Sequence, residues 1–252
     1  MRYFFIIIVM MLSLDAQQYS FRKYEHVKIF YEEIALDAIE VGVKYNIPPA
    51  ALLAITGLES GYGSGYVSQI TGNILSLGAY KSDKELPRLY LPYSKSKKSV
   101  LYDAKEIAKH KKSDLSWRLR PASLKRDYRP AKYAGSSKHL ALLKYDAKLK
   151  NDARLACLND FALRWISKDS SVKVYRDIRE WINLEVKKKG TKILFSQSIN
   201  EHFIDKIGGH PHSFNYRKSW TKKVKLIMNK VGLVALTRDI YSKHMSFKEA
   251  WK

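Results

Sequence analysis

Residues 45–63 limit the fold of this chain more than any other stretch. Pro48 and Pro49 stand directly before Ala50-Ala51-Leu52-Leu53-Ala54-Ile55-Thr56-Gly57-Leu58-Glu59, and glycines follow at 61 and 63. Proline suits a first helical turn, where its missing N–H is no loss, and glycine suits the end of a helix. The spacing predicts an apolar helix that begins at the prolines, stops at Gly61 and holds Glu59 at its mouth. Flanked by Ile55, Leu58 and Tyr62, a carboxyl at position 59 is poorly solvated, which raises its pKa and suits it to give up a proton as a general acid. The alternative for a single glutamate at a helix end is a solvated surface residue.

Two motifs in register favour the first reading. Leu58-Glu59-Ser60-Gly61-Tyr62-Gly63 resembles the Leu-Glu-Ser-Gly-Trp-Gly signature of the glucosaminidase family of peptidoglycan hydrolases, with Tyr62 at the Trp position. Downstream, Asn73-Ile74-Leu75-Ser76-Leu77-Gly78 is similar to the family's Asn-Asn-Leu-Phe-Gly-Ile element, with Gly72 and Ser76 as departures. The resemblance implies a mainly α, lysozyme-like domain with a small β-hairpin beside the cleft. It also implies Glu59 as the general acid, Tyr62 as a stacking surface for a sugar ring, and no cofactor. Asn73 is a candidate substrate contact, since an amide both donates to and accepts from an N-acetyl group. A turn-forming asparagine that holds its own backbone is the equal alternative.

Further along, family members place a hairpin near residues 80–93, often with a second carboxylate. Glu85 is the candidate for it, being the only Glu between Glu59 and Glu106, with a surface residue as the alternative. The run from Tyr93 to Val100 resembles the family's Tyr-x-Ser-x-x-x-Ser-Val element, so Ser99 is expected to cap a helix, and Tyr93 to line the cleft or join the core. Toward the C-terminus, His210 and Tyr216 fall at the two Tyr positions of the family's Gly-Tyr-Ala-Thr-Asp-Pro-x-Tyr element and are taken as substrate contacts. His210 and His212 lack a third ligand at a suggestive spacing, so no metal is expected.

The rest of the chain frames these candidates. Residues 1–16 read as a signal segment, with Arg2 before the uncharged apolar run Phe4–Leu12 and Ala16 at a cleavage position. That run is shorter than the roughly 20 residues of a spanning helix, so export with cleavage is expected, an uncleaved anchor being the alternative. Lys and Arg total 46 against 24 acidic residues, a net charge of +22 spread along the chain. Such a field draws a protein to polyanions. With a signal segment these are envelope polymers, above all peptidoglycan, and no nucleic-acid motif is present. From Val27 to Tyr45 apolar residues fall three and four apart, predicting an amphipathic helix, and Trp220, Val224, Ile227 and Val231 predict another.

Between these, about 112–200 is expected to be a basic helical insertion in a domain spanning 17–252. Its first third, Ser113–His139, reads as irregular, and helices are expected around Leu155–Ile166 and Val174–Ile182. Cys157 has no disulfide partner and reads as a small buried hydrophobe. The expected activity is cleavage of the glycan strand at N-acetylglucosamine. A lytic transglycosylase and a non-catalytic envelope-binding protein are the alternatives.

Overall fold

The computed structural model of the chain describes residues 19–78, 90–101, 103–119 and 146–252, and these are mainly helical with one small sheet. The signal segment and Glu85 lie outside them. The described residues fall into two compact units, one holding those up to Leu58 and from Arg164 onward, the other holding Glu59–Leu163.

In the first unit, α1 (Glu25–Tyr45) buries Val27, Phe30, Tyr31, Ile34, Ala38 and Val41 along one face, as the three-and-four spacing requires. Asn46 adopts a left-handed conformation with φ 53° and ends the helix. The chain then turns closely enough that a Cβ on Gly42 would lie 2.6 Å from the Ile47 carbonyl oxygen. α2 (Pro49–Ser60) follows, and residues 50–55 are all completely buried. Six consecutive buried residues leave no solvent-facing stripe, which is why this helix has no polar face. Its first-turn amides still need partners. Ala51 N–H donates to the Asn200 side-chain oxygen at 2.8 Å, while the Asn200 amide nitrogen donates to the carbonyls of Leu194 and Ser196.

The same unit contains α6 (Lys173–Lys189), a 3-10 turn at Thr191–Phe195, α7 (Gln197–Ile207), α8 (Ser219–Val231), α9 (Leu233–Lys243) and α10 (Phe247–Ala250). α8 buries Trp220, Val224, Ile227 and Val231, the four residues of the predicted face. Arg22 ties the start of the described chain to its end by donating to the carbonyls of Val231, Ala250 and Trp251 at 2.8, 3.0 and 2.6 Å. Burial lowers the pKa of its guanidinium. Arg179 plays a similar part, donating to the carbonyls of Ile166 and Tyr45, and burial brings its pKa down to about 10.

The second unit has α3 (Tyr66–Thr71), α4 (Ala104–Lys109), α5 (Ala147–Asp160) running into a π-helical turn at Phe161–Trp165, and a three-stranded antiparallel sheet. Its strands are β1 (Tyr90–Ser94), β2 (Ser99–Val100) and β3 (Leu115–Leu119), in the order β2-β1-β3, with Tyr93 opposite both Val100 and Ser116. Two expectations are corrected here, and one helix is added. Ser99 caps no helix: Lys98 takes a left-handed conformation, the chain reverses, and Ser99 pairs with Ser94 in the sheet. The cap of α4 is Asp103, whose carboxylate accepts from Lys105 N–H at 2.8 Å. Leu115–Leu119 is a strand, not the opening of an irregular basic segment. Finally, residues 66–71, which show no sequence periodicity, form α3. Of the described residues within 112–200, those up to Leu163 belong to the second unit and those from Arg164 to the first.

Candidate functional site

Glu59 lies on the last turn of α2, half-buried. Beyond Ser60 the chain makes three successive left-handed residues, Gly61, Tyr62 and Gly63, with φ of 56°, 53° and 74°. Glycine adopts this conformation without strain, whereas Tyr62 is a non-glycine held in it. The turn is fixed from behind. Ser60 Oγ accepts from Gly63 N–H at 2.9 Å, the Ser60 carbonyl accepts from Gly65 N–H at 2.9 Å, and Ser64 Oγ donates to the Gly61 carbonyl at 2.6 Å. The chain is thereby folded back over the end of α2 before α3 starts.

A second turn completes the wall. Gly72, at φ 69°, ends α3, and a Cβ there would lie 2.4 Å from that of Ala153 on α5, so glycine is required on both counts. Asn73 then clamps the following loop: its amide nitrogen donates to the Leu77 carbonyl and its oxygen accepts from Leu77 N–H, both at 2.9 Å. The same oxygen accepts from the thiol of Cys157 at 3.5 Å. That thiol is fully buried, and burial pushes it up to about 12. Ser76, at φ 52°, donates from Oγ to the Glu59 backbone carbonyl at 3.2 Å, which fastens the loop to the end of α2.

These two turns and α3 enclose a cavity of about 190 Å³ lined by Glu59, Ser60, Tyr66, Ser68, Asn73 and Ser76 together with Gly65 and Val67. At about 30 Å³ per water it has room for several. Among the described residues its lining holds one carboxylate and four hydroxyl-bearing side chains, and no Lys or Arg. Tyr66 is buried beside Leu91, with Trp117 at a ring distance of 6.3 Å, and burial raises its pKa. Tyr62 is half-buried, and burial pushes its phenol up to about 12, so it stays a hydrogen-bond donor across the neutral range.

The structure therefore brings Glu59 and Asn73 into one cavity, with the Asn73 amide engaged on both sides by Leu77. Tyr93 stands on β1, half-buried, with the Arg118 guanidinium 3.3 Å from its ring centroid. His210 and Tyr216 belong to the other unit. There the loop after α7 is closed by Phe214 N–H to the Ile207 carbonyl and Gly209 N–H to the Asn215 carbonyl, at 2.7 and 2.8 Å. The His210 ring nitrogen Nε2 donates to the Lys206 carbonyl at 2.9 Å, and Tyr216 is 70% exposed. Tyr66, Ser68 and Ser76 were not singled out from the sequence. Their signal was present in the small residues of Gly65-Tyr66-Val67-Ser68, which follow the left-handed turn directly.

Among the described residues no three His, Cys, Asp or Glu side chains converge as a metal site, and no helix is long and apolar enough to cross a membrane. No protein family, curated protein or solved structure matches the chain.

Proposed function

We propose that the chain is an exported hydrolase of peptidoglycan glycan strands, of lysozyme-like fold, that cleaves at N-acetylglucosamine with Glu59 as its general acid. The observation that carries the proposal is the placement of Glu59. Among the described residues it is the one carboxylate in the lining of a hydroxyl-rich cavity that shows no cationic side chain, on the last turn of a largely apolar helix. A carboxyl on the last turn of a helix also faces the negative end of the dipole, which favours its neutral form.

In this reading Glu59 transfers its proton to the glycosidic oxygen as the bond to the anomeric carbon breaks and the sugar takes on oxocarbenium character. The substrate's own acetamido oxygen attacks the anomeric carbon from the opposite face, so the cavity needs no second carboxylate. Water then adds at that carbon and returns a proton to Glu59. Tyr62 offers its ring to a sugar, and the +22 charge keeps the enzyme on an anionic polymer.

A single acid is equally what a lytic transglycosylase uses, so the same observation supports that second reading. A zymogram on purified peptidoglycan tests the proposal. Glu59→Gln is expected to lose about 10²- to 10⁴-fold in activity. Wild-type rates in that variant would remove Glu59 as the acid, and no clearing by the wild type itself would reduce the protein to an envelope binder. Product analysis divides the two enzymatic readings: a reducing N-acetylglucosamine end supports hydrolysis, and an anhydro-muramyl end supports transglycosylation.

A further inference from the structure

The first unit contains a larger cavity, of about 510 Å³, that shares no lining residue with the one at Glu59. It is built on the seam between α6 and α7. Ile178 and Ile182 of α6 and Phe203 and Ile207 of α7 are buried in that unit's core. One helical step to the side, Val174, Asp177 and Trp181 of α6 and His202 and Lys206 of α7 line the open space, with His210 from the following loop. Trp181 stands at the cavity wall, half-buried.

The chemistry of the lining is specific. Trp181 and His202 hold their rings 4.3 Å apart at 45°, and the Val174 and Ile178 side chains supply apolar surface beside them. His210 is held in place by its bond to the Lys206 carbonyl. Asp177 is held by Lys173 at 2.5 Å. Among the described residues one carboxylate and one ammonium line the cavity, so their charges nearly balance on a chain of net charge +22. A site selecting a polyanion would be lined by cations. This one offers a flat apolar ring, imidazoles and a carboxylate to a ligand that is ring-shaped, uncharged and rich in hydroxyls.

We propose that this cavity is a saccharide-binding subsite, in which the C–H face of a pyranose lies on Trp181 and its hydroxyl and acetamido groups meet Asp177, His202 and His210. An aromatic side chain covers much apolar area at little loss of side-chain freedom, which is why such a wall dominates the affinity of a small site. The choice of an N-acetylglucosamine polymer as ligand rests on the proposed function; the site itself rests on its lining.

The test is titration of chitotetraose into the full-length Glu59→Gln protein, where turnover is suppressed, followed through the indole N–H resonances. The Trp181 resonance is assigned by its loss in Trp181→Phe. The Trp181 signal is expected to shift saturably; by calorimetric titration of the same ligand, Trp181→Ala is expected to weaken this binding at least about tenfold, and Trp181→Phe to keep most of it. Asp177→Asn gives a second variant at the rim should Trp181→Ala fail to fold, with about a tenfold loss expected. Shifts confined to residues around Glu59, with Trp181 unmoved, would overturn the subsite and leave the hydrolase reading standing. A Trp181 shift in a protein whose wild type cuts no peptidoglycan would sink the hydrolase reading and keep the subsite. An equal response to adenosine would show a cavity that takes any flat ring, and the saccharide assignment would fall.

Discussion

The two units are held together by different kinds of interaction. In the first, helices bury continuous apolar faces, and the residues of α2 from Ala50 to Ile55 are enclosed on every side. In the second, much of the chain path is set by side chains bonding to backbone. The Asp114 carboxylate alone accepts from Ser94 Oγ, Ser96 N–H, Ser96 Oγ and His110 Nδ1, at 2.8, 2.8, 3.1 and 2.6 Å, and so joins the β1–β2 turn to the start of β3. Asn73 does the same for the loop at the cavity. Burial of a large aliphatic side chain contributes about 1.5–3 kcal/mol and needs only the right period, whereas a hydrogen bond contributes about 0.5–1.5 kcal/mol net and needs one particular partner.

Three substitutions test that contrast. The largest loss is expected for Leu53→Ala in α2, about 2–5 kcal/mol by denaturant unfolding, because a fully buried leucine leaves a cavity in a helix with no exposed face. A value under 1 kcal/mol would mean that the first unit is less tightly packed than the burial of α2 implies. Next comes Asn73→Ala. It leaves the Leu77 N–H and carbonyl without their side-chain partner and is expected to destabilise the second unit by about 1–3 kcal/mol. Protection of the Leu77 amide against hydrogen exchange is expected to fall in that variant while amides of α8 keep theirs.

The smallest effect is confined to acid. The hydrogen bonds from Ser94, Ser96 and His110 hold the Asp114 carboxyl well below the usual carboxylate range. The unfolded chain takes up that proton near the ordinary value of about 3.9, so the stabilisation is complete above it and is lost as pH falls toward the folded-state value. Asp114→Asn is therefore expected to flatten the acid limb of the stability curve, with wild type and variant converging as pH drops. Parallel curves would show that the carboxylate's bonds contribute nothing to the second unit.

The same contrast explains what could be read from the sequence. α1, α2 and α8 were legible because apolar residues three and four apart, prolines at a start and glycines at an end are local signals with local causes. α3 was not, since Tyr66–Thr71 has no apolar stripe and is positioned by Gly65 and Gly72 at its ends. Ser99 misled because a serine before a helix looks like a cap. Its actual partner, Ser94, is set by the left-handed residue at Lys98, which no residue type announces. At the site, Glu59 was legible from the glycines that stop its helix. The hydroxyls around it were not, because Ser68 and Ser76 face the cavity only once both turns have closed. The helix around Val174–Ile182 was legible from its spacing, whereas the cavity beside Trp181 depends on α7 and the loop after it, which that spacing does not report.

The lone thiol behind Asn73 has a practical use. Cys157 is sealed in the interior, so a thiol-reactive dye reaches it only while the second unit is transiently open. In excess reagent the labelling rate becomes a clock for that opening, read at the wall of the Glu59 cavity without introducing any foreign group. A bound glycan that slowed the clock would report occupancy of the site independently of whether any bond is cut.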